Sequence, residues 1–337
     1  MDENYLTSLQ KGEWRKLICG ASYQDIPSVR NLALAYSLAG VNCVDVAADE
    51  AVIKSAWDGI TVAKKYFTEA TSKGYTPRQP LLMVSVNDGE DLHFRKALFN
   101  AQLCPSDCQR PCLDICPTEA IKFTGVVEQL CYGCGRCLPI CPYGLIEAQN
   151  HLISMEEVLS WLDYLPIGAL EIHTHPLHWE NFCQLWEKIT PYLPKLQLIA
   201  ISCAYTPTAT NYLSKIAQLI QPLSTPLIWQ VDGRSMSGDI GKGTTHLTIK
   251  YAQELAKINL LGYIQLAGGT NEHTAEKVSS LGLSGDIVAG IAFGSQARKL
   301  LNETFSALEN QTNSCHLEDI PALLWQGVNQ AHQLINN

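Results

Sequence analysis

The chain has 337 residues, 46% of them hydrophobic and 17% charged, which is ample apolar material for a large soluble core. Its net charge of −9 argues against a nucleic-acid footprint, and no stretch is long and apolar enough to suggest a membrane span. The opening MDENYLTSLQ lacks the pattern of a signal peptide, so a cytoplasmic, thiol-reducing location is expected and a disulfide framework is not.

From the N-terminus, short β-branched runs alternate with amphipathic stretches, the pattern of parallel βα units. KLICGA (16–21) is the first strand candidate. The stretch PSVRNLALAYSLAG follows as a helix, with Pro27 at its start and Gly40 at its end. VNCVDVAA (41–48) and LLMVSVN (81–87) are the next two strands. The following strand candidate starts only at position 169, 88 residues after the third, whereas the other starts lie 25 to 40 residues apart.

The surplus holds eight cysteines: Cys104, Cys108, Cys112 and Cys116-Pro117, then Cys131, Cys134, Cys137 and Cys141-Pro142. The second quartet is the bacterial ferredoxin run C-x2-C-x2-C-x3-C-P, whose fourth thiolate serves the other cluster of a pair. The tight gaps place three thiolates on one loop, and Gly133 and Gly135 let backbone N–H groups turn toward cluster sulfur. Pro117 and Pro142 end each ligand segment.

The first quartet has three-residue gaps throughout and departs from that run. It is tied to the second by an internal duplication, CLDICPTEAIKF at 112–123 repeating as CLPICPYGLIEA at 137–148. Two [4Fe-4S] clusters are expected, one on Cys104, Cys108, Cys112 and Cys141, the other on Cys131, Cys134, Cys137 and Cys116. The irregular first quartet leaves a degenerate or [3Fe-4S] first site as an alternative, and paired zinc sites fit Cys-Pro endings poorly. Cys19, Cys43, Cys183, Cys203 and Cys315 are scattered, mostly in apolar stretches, and read as structural.

After the cysteines the βα rhythm resumes with ALEIHT (169–174), LQLIAISC (196–203), PLIWQVD (226–232), GYIQLAG (262–268) and IVAGIAF (287–293). Eight units imply a TIM-type (β/α)8 barrel over 1–87 and 152–310, with a ferredoxin-like two-cluster module (88–151) inserted after strand 3 and a C-terminal helical tail (311–337). A doubly wound open sheet has the same alternation. Loops after barrel strands lie on the ligand-bearing face, so the clusters are expected beside or over the barrel mouth.

Within the later units, HTHPLH carries His173, His175 and His178, a spacing a mononuclear metal could use, with a polar strand-end cluster as the default reading. The loop VDGRSMSGDIGKGTTH after strand 6 does not fit a P-loop, since Gly243 separates Lys242 from Thr244. It reads either as a lid or anion-contacting loop using Arg234 and Lys242 or, equally, as a solvated connector. Gly268, Gly269 and Thr270 after strand 7, with Gly294 and Ser295 after strand 8, stand where barrels bind phosphate, or are plain turns. Alternation turns Asp45, Asn87, Glu171, His173, Ser202, Gln230, Asp232 and Gln265 inward, which suggests a wet or liganded mouth or an internal hydrogen-bond network.

The opening GEWRKLICGASYQDIPSVRNLALAYSLAGVNCVDVAAD, the cysteine block and the stretch from VDGRSMSGDIGKGTTH to QLAGGTN together resemble the cyanobacterial light-dependent period (LdpA) family over nearly the whole chain. The resemblance implies an iron–sulfur redox sensor at the circadian clock's input, linked to photosynthetic electron flow and quinone state. It implies a circadian input kinase and Kai-type clock proteins as partners. Two function classes follow: a non-catalytic sensor whose clusters change charge with electron supply, and an oxidoreductase whose clusters serve a flavin or phosphorylated ligand in the mouth. The lack of an assembled nucleophile and base, a flavin motif or a Schiff-base Lys at a strand end favours the sensor.

Overall fold

Twelve strands are present among the described residues. In chain order they are β1 (Trp14–Gly20), β2 (Cys43–Ala47), β3 (Leu81–Asn87), β4 (Arg95–Leu98), β5 (Ile121–Lys122) and β6 (Gly125–Val126). They continue as β7 (Glu147–Asn150), β8 (Ala169–Thr174), β9 (Leu198–Ala204), β10 (Leu227–Asp232), β11 (Tyr263–Ala267) and β12 (Val288–Phe293). The structure, a computed structural model, describes residues 3–91, 94–116, 118–131, 133, 135–150, 154–233, 244–311 and 316–336. Arg234, Lys242, Cys134 and Cys315 lie outside these residues.

The eight strands expected from alternation close a barrel in the order β1-β12-β11-β10-β9-β8-β3-β2, every pair parallel. Closure excludes the open sheet, because β1 pairs with β2 on one edge and β12 on the other. The outward residues of the strands, such as Val44, Val84, Ile172 and Ile201, pack under the surrounding helices in one large core. The inward residues form a second, smaller cluster at the barrel's base, around Trp14, Leu81, Met83, Leu198 and Ile228. Gly290 faces that base, where a Cβ would stand 2.6 Å from the Trp14 ring, so only glycine fits beside the indole.

Helix Ile26–Ala39 ends where Gly40, at φ 102°, turns its N–H back to the carbonyls of Tyr36 and Ser37. Asp49 caps helix Glu50–Lys65 by accepting from the N–H groups of Ala51 and Val52. The C-terminal segment folds back on this layer. Leu317, Leu324, Val328 and Ala331 are buried in the same core as the barrel helices, and Arg30 pairs with Glu318 and Asp58, each at 2.6 Å.

The ferredoxin-like module lies between β3 and β8. Strands β4 and β7 pair antiparallel at its root, and β5 with β6 forms a hairpin. Its own core repeats the duplication in three dimensions: Cys112 with Cys137, Ile121 with Ile146, Leu113 with Leu138 and Cys116 with Cys141 are corresponding positions, all packed together. Arg110 (φ 53°) and Gly135 (φ 71°) correspond in the same way, as do Glu119 (φ 51°) and Gly144 (φ 62°). Both halves therefore turn through the left-handed region at equivalent points, glycine serving in the second half and strained L-residues in the first.

Candidate functional site

Two groups of cysteines form within the module. Cys104 is pushed up by burial, eased by Arg110 and pushed up further by Cys108 and Cys141. Cys112 is pushed up by burial and then by Cys141, Cys104 and Cys108. These four sulfurs therefore lie within electrostatic reach of one another. Cys104, Cys108 and Cys141 are half-buried, so we refer to this as the outer set. At Cys141, burial raises the thiol, but the backbone N–H groups of Leu145, Tyr143, Ile146 and Gly144 outweigh it and hold the pKa below the ordinary value.

The inner set faces a cavity lined by Cys116, Cys131 and Cys137 together with Gly133, Gly135 and Lys96. The Ala97 N–H donates to Cys131 Sγ at 3.3 Å, and the Ala120 N–H to Cys116 Sγ at 3.2 Å. Ala120 and Leu145 are corresponding positions in the duplication, and each donates to the cysteine four residues before it. Clustered thiols met by inward-turned N–H groups fit cuboidal iron–sulfur clusters, whose sulfurs accept such hydrogen bonds. Among the described residues no set of three or more His, Cys, Asp or Glu is arranged to hold a single metal ion.

The module meets the barrel at the loops that follow β1 and β2. The Gln24 N–H donates to the Gln129 carbonyl at 3.1 Å and Gln24 Nε2 to Asp49 at 2.9 Å, while Lys96 Nζ donates to Gln24 Oε1 at 2.5 Å. Just before β4, Phe94 is buried with its ring edge-on to His173, centroids 5.2 Å apart.

Below Phe94 the barrel interior is polar. Lys16, fully buried on β1, contacts Glu171 directly and Asp45 at 3.4 Å. Glu171 also pairs with His173 Nε2 at 3.0 Å and accepts from Gln230 Nε2 at 2.6 Å. The amides run in one direction: the Trp14 indole N–H donates to Gln265, Gln265 to Gln230, and Gln230 to Glu171. Because indole can only donate, this chain fixes both amide orientations. Ser202 donates to Asp232 at 2.8 Å and Ser85 to Asp45 at 2.7 Å.

Burial works against every charge here, and the partners decide the outcome. For Glu171, burial raises the carboxyl, but Lys16 and His173 bring it down to about 2. Burial lowers His173, yet Glu171 and Asp91 raise it to about 9, so the imidazole is protonated at neutral pH. Asp45 stays raised, at about 6, because burial and Glu171 outweigh Lys16 and Ser85.

Of the inward polar residues expected from alternation, Asp45, Glu171, His173, Ser202, Gln230, Asp232 and Gln265 share this network. Asn87 sits at its rim, donating to the Gly89 carbonyl at 2.6 Å. Lys16 was missed because the first strand was expected to begin with it. The preceding Trp14, two residues back on the same face, is the signal that would have put Lys16 inside the barrel.

His175 and His178 have rings 5.6 Å from each other and His178 pairs with Asp88 at 3.0 Å, whereas His173 pairs with Glu171. The expected phosphate residues gather where β11 and β12 end. Gly268 and Gly269 have positive φ, but Thr270 donates to the Ala292 carbonyl at 2.5 Å, and the Arg298 guanidinium beside Gly294 is held by the carbonyls of Ile18 and Cys19. Ser295 opens helix Ser295–Gln311. The Arg234 and Lys242 lid lies outside the described residues. Cys19 and Cys203 are buried, which pushes each thiol up to about 12, and Cys43 is buried and raised as well.

Comparison with known proteins matches residues 161–337 to the Light dependent period A C-terminal domain and residues 104–152 to the LdpA Fe-S cluster-binding domain. "Light dependent period A" of Synechococcus elongatus is 49% identical over 334 residues, covering 98% of this chain and 92% of that protein. Shorter likenesses reach Electron transport protein HydN of Escherichia coli, 37% identical over 15% of this chain and 31% of that one. A "Protein NrfC homolog" of Haemophilus influenzae is 41% identical over 13% and 23% respectively. A solved (S)-3-O-geranylgeranylglyceryl phosphate synthase from Thermoplasma acidophilum aligns over 97% of this chain and 96% of its own at 9% identity. Its TM-score of 0.31 is too low to bear on the fold, which the strand pairing itself establishes.

Proposed function

Since the chain belongs to the light dependent period A family and carries its iron–sulfur cluster-binding domain, we propose that it is a redox sensor for the circadian clock's input. In this reading it holds two [4Fe-4S] clusters and relays photosynthetic electron flow or quinone state to a circadian input kinase and Kai-type clock proteins. Clusters supply one-electron exchange. The protein's own residues hold the thiolates, direct N–H groups at sulfur, and bring the inner set against the barrel through Lys96 and Gln24. A one-electron change of charge beside a partly buried junction is enough to bias a binding surface.

The observation that carries this reading is the crossing of the ligand sets: Cys141 within reach of the first quartet, and Cys116 lining the cavity of the second. Such crossing supports two coupled clusters rather than two isolated sites. Protein purified without oxygen should then hold about eight iron atoms. Cys141→Ser should strip the outer cluster and Cys116→Ser the inner, as read by electron paramagnetic resonance. About four irons in the wild type, or a Cys116→Ser change that affects the outer signal alone, would sink the crossed two-cluster reading.

The buried Lys16–Glu171–His173 network favours a second reading, an oxidoreductase with a flavin or a phosphorylated ligand in the mouth. A visible spectrum taken after cluster removal decides it. Released flavin supports the enzyme; a spectrum without chromophore supports the sensor.

A further inference from the structure

At the seam between module and barrel, three cations, Arg95, Lys96 and Arg136, line the cavity of the inner cysteines, and Lys96 is the buried one. Lys96, in β4, is 8% exposed and lines the same cavity as Cys116, Cys131 and Cys137. Its neighbour Ala97 gives its N–H to Cys131 Sγ. The ammonium donates to Gln24 Oε1 at 2.5 Å and to the Glu128 carbonyl at 2.9 Å, both uncharged oxygens. The nearest carboxylate, that of Glu128, stands 4.0 Å away with its side chain 69% exposed, so its charge is largely screened by water. A buried ammonium calls for a compensating negative charge nearby. An iron–sulfur cluster on four thiolates carries one, and it grows when the cluster is reduced.

We propose that Lys96 raises the reduction potential of the inner cluster and, held from the barrel by Gln24, couples the cluster's charge to the loop after β1. The proposal rests on the cluster reading above. The electron comes from an external one-electron donor and reduces one ferric centre of the cluster. No bond to Lys96 forms or breaks, and its proton stays on nitrogen. Lys96 acts by position, its charge favouring the reduced state because it lines the same cavity as the inner thiols.

Gln24 makes the coupling run both ways. It bridges the module, through Gln129, to the loop after β2, through Asp49. By linkage, any partner that displaces this loop must shift the potential, and reduction must shift the partner's affinity by the same free energy.

The test is a redox titration of the full-length, cluster-loaded protein followed by electron paramagnetic resonance, with the inner signal identified as the one lost in Cys131→Ser. In Lys96→Met the inner signal should move to a more negative potential while the outer one stays. Lys96→Arg should restore most of that shift, and Gln24→Leu should cause a smaller shift in the same direction. An unmoved inner potential in Lys96→Met at full iron content, or equal movement of both clusters, would overturn the proposal. If Lys96→Met loses iron, Lys96→Gln removes the charge while keeping donors, and the same shift or its absence decides. Should the wild type hold only about four irons, the two-cluster reading fails while the remaining cluster's response to Lys96→Met still tests this residue.

Discussion

Lys16, Glu171 and His173 form a buried set in which each charge is tolerable only because of the others. Removing one partner strands the rest, which typically costs about 3–5 kcal/mol. Glu171→Gln should therefore lower the free energy of unfolding by about that much in denaturant titration. The double change Lys16→Met with Glu171→Leu should lose less, since it removes the closest ion pair together and leaves His173 able to give up its proton. The pH dependence has a definite sign. His173 is raised from 6.5 to about 9 on folding, so its contribution is whole below pH 6.5 and disappears as pH rises through about 9. Stability measured from pH 6.5 to 9 should fall, and His173→Gln should flatten that fall. At this scale the inward face of β8 was legible from alternation alone, whereas Lys16 was not, because a lysine at a presumed strand start reads as solvent-facing.

Among the elements, the eight barrel strands were legible because each is an apolar, largely buried run, and the duplication was legible because its 25-residue repeat is carried by side chains that pack on each other. Helix contacts were not. Helices Ile26–Ala39 and Glu50–Lys65 approach so closely that a Cβ on Gly59 would lie 2.2 Å from the Arg30 carbonyl oxygen. Nothing in the local sequence around Gly59 announces this, since in an isolated helix alanine would be the better residue. Gly59→Ala should accordingly destabilise the barrel, by about 1–3 kcal/mol, through forced separation of the two helices. Thermal unfolding of the cluster-loaded protein checks it; a rise in melting temperature would mean that the helices adjust without strain.

Over the whole molecule, the C-terminal segment is part of the barrel's structural support. Leu317, Leu324, Val328, Leu334 and Ile335 are buried, and the Arg15 guanidinium donates to the Ile335 carbonyl at 2.8 Å. A chain ending at residue 311 would expose the helices beneath and should be recovered mainly as aggregate. Recovery of a soluble, cooperatively unfolding truncated barrel would contradict that packing. The sequence by itself determined the inventory: eight cysteines in two related runs, eight strands with their inward polar residues, and the family. Ligand spacing and alternation are local properties, written within a few residues of each other. Only the tertiary structure decided which distant charges meet. Lys16 finds Glu171 across 155 positions because the barrel closes, and Lys96 finds Gln24 across 72 because the module folds back onto the loop after β1. Closure and docking depend on the summed packing of the whole chain, so no single segment carries their signature.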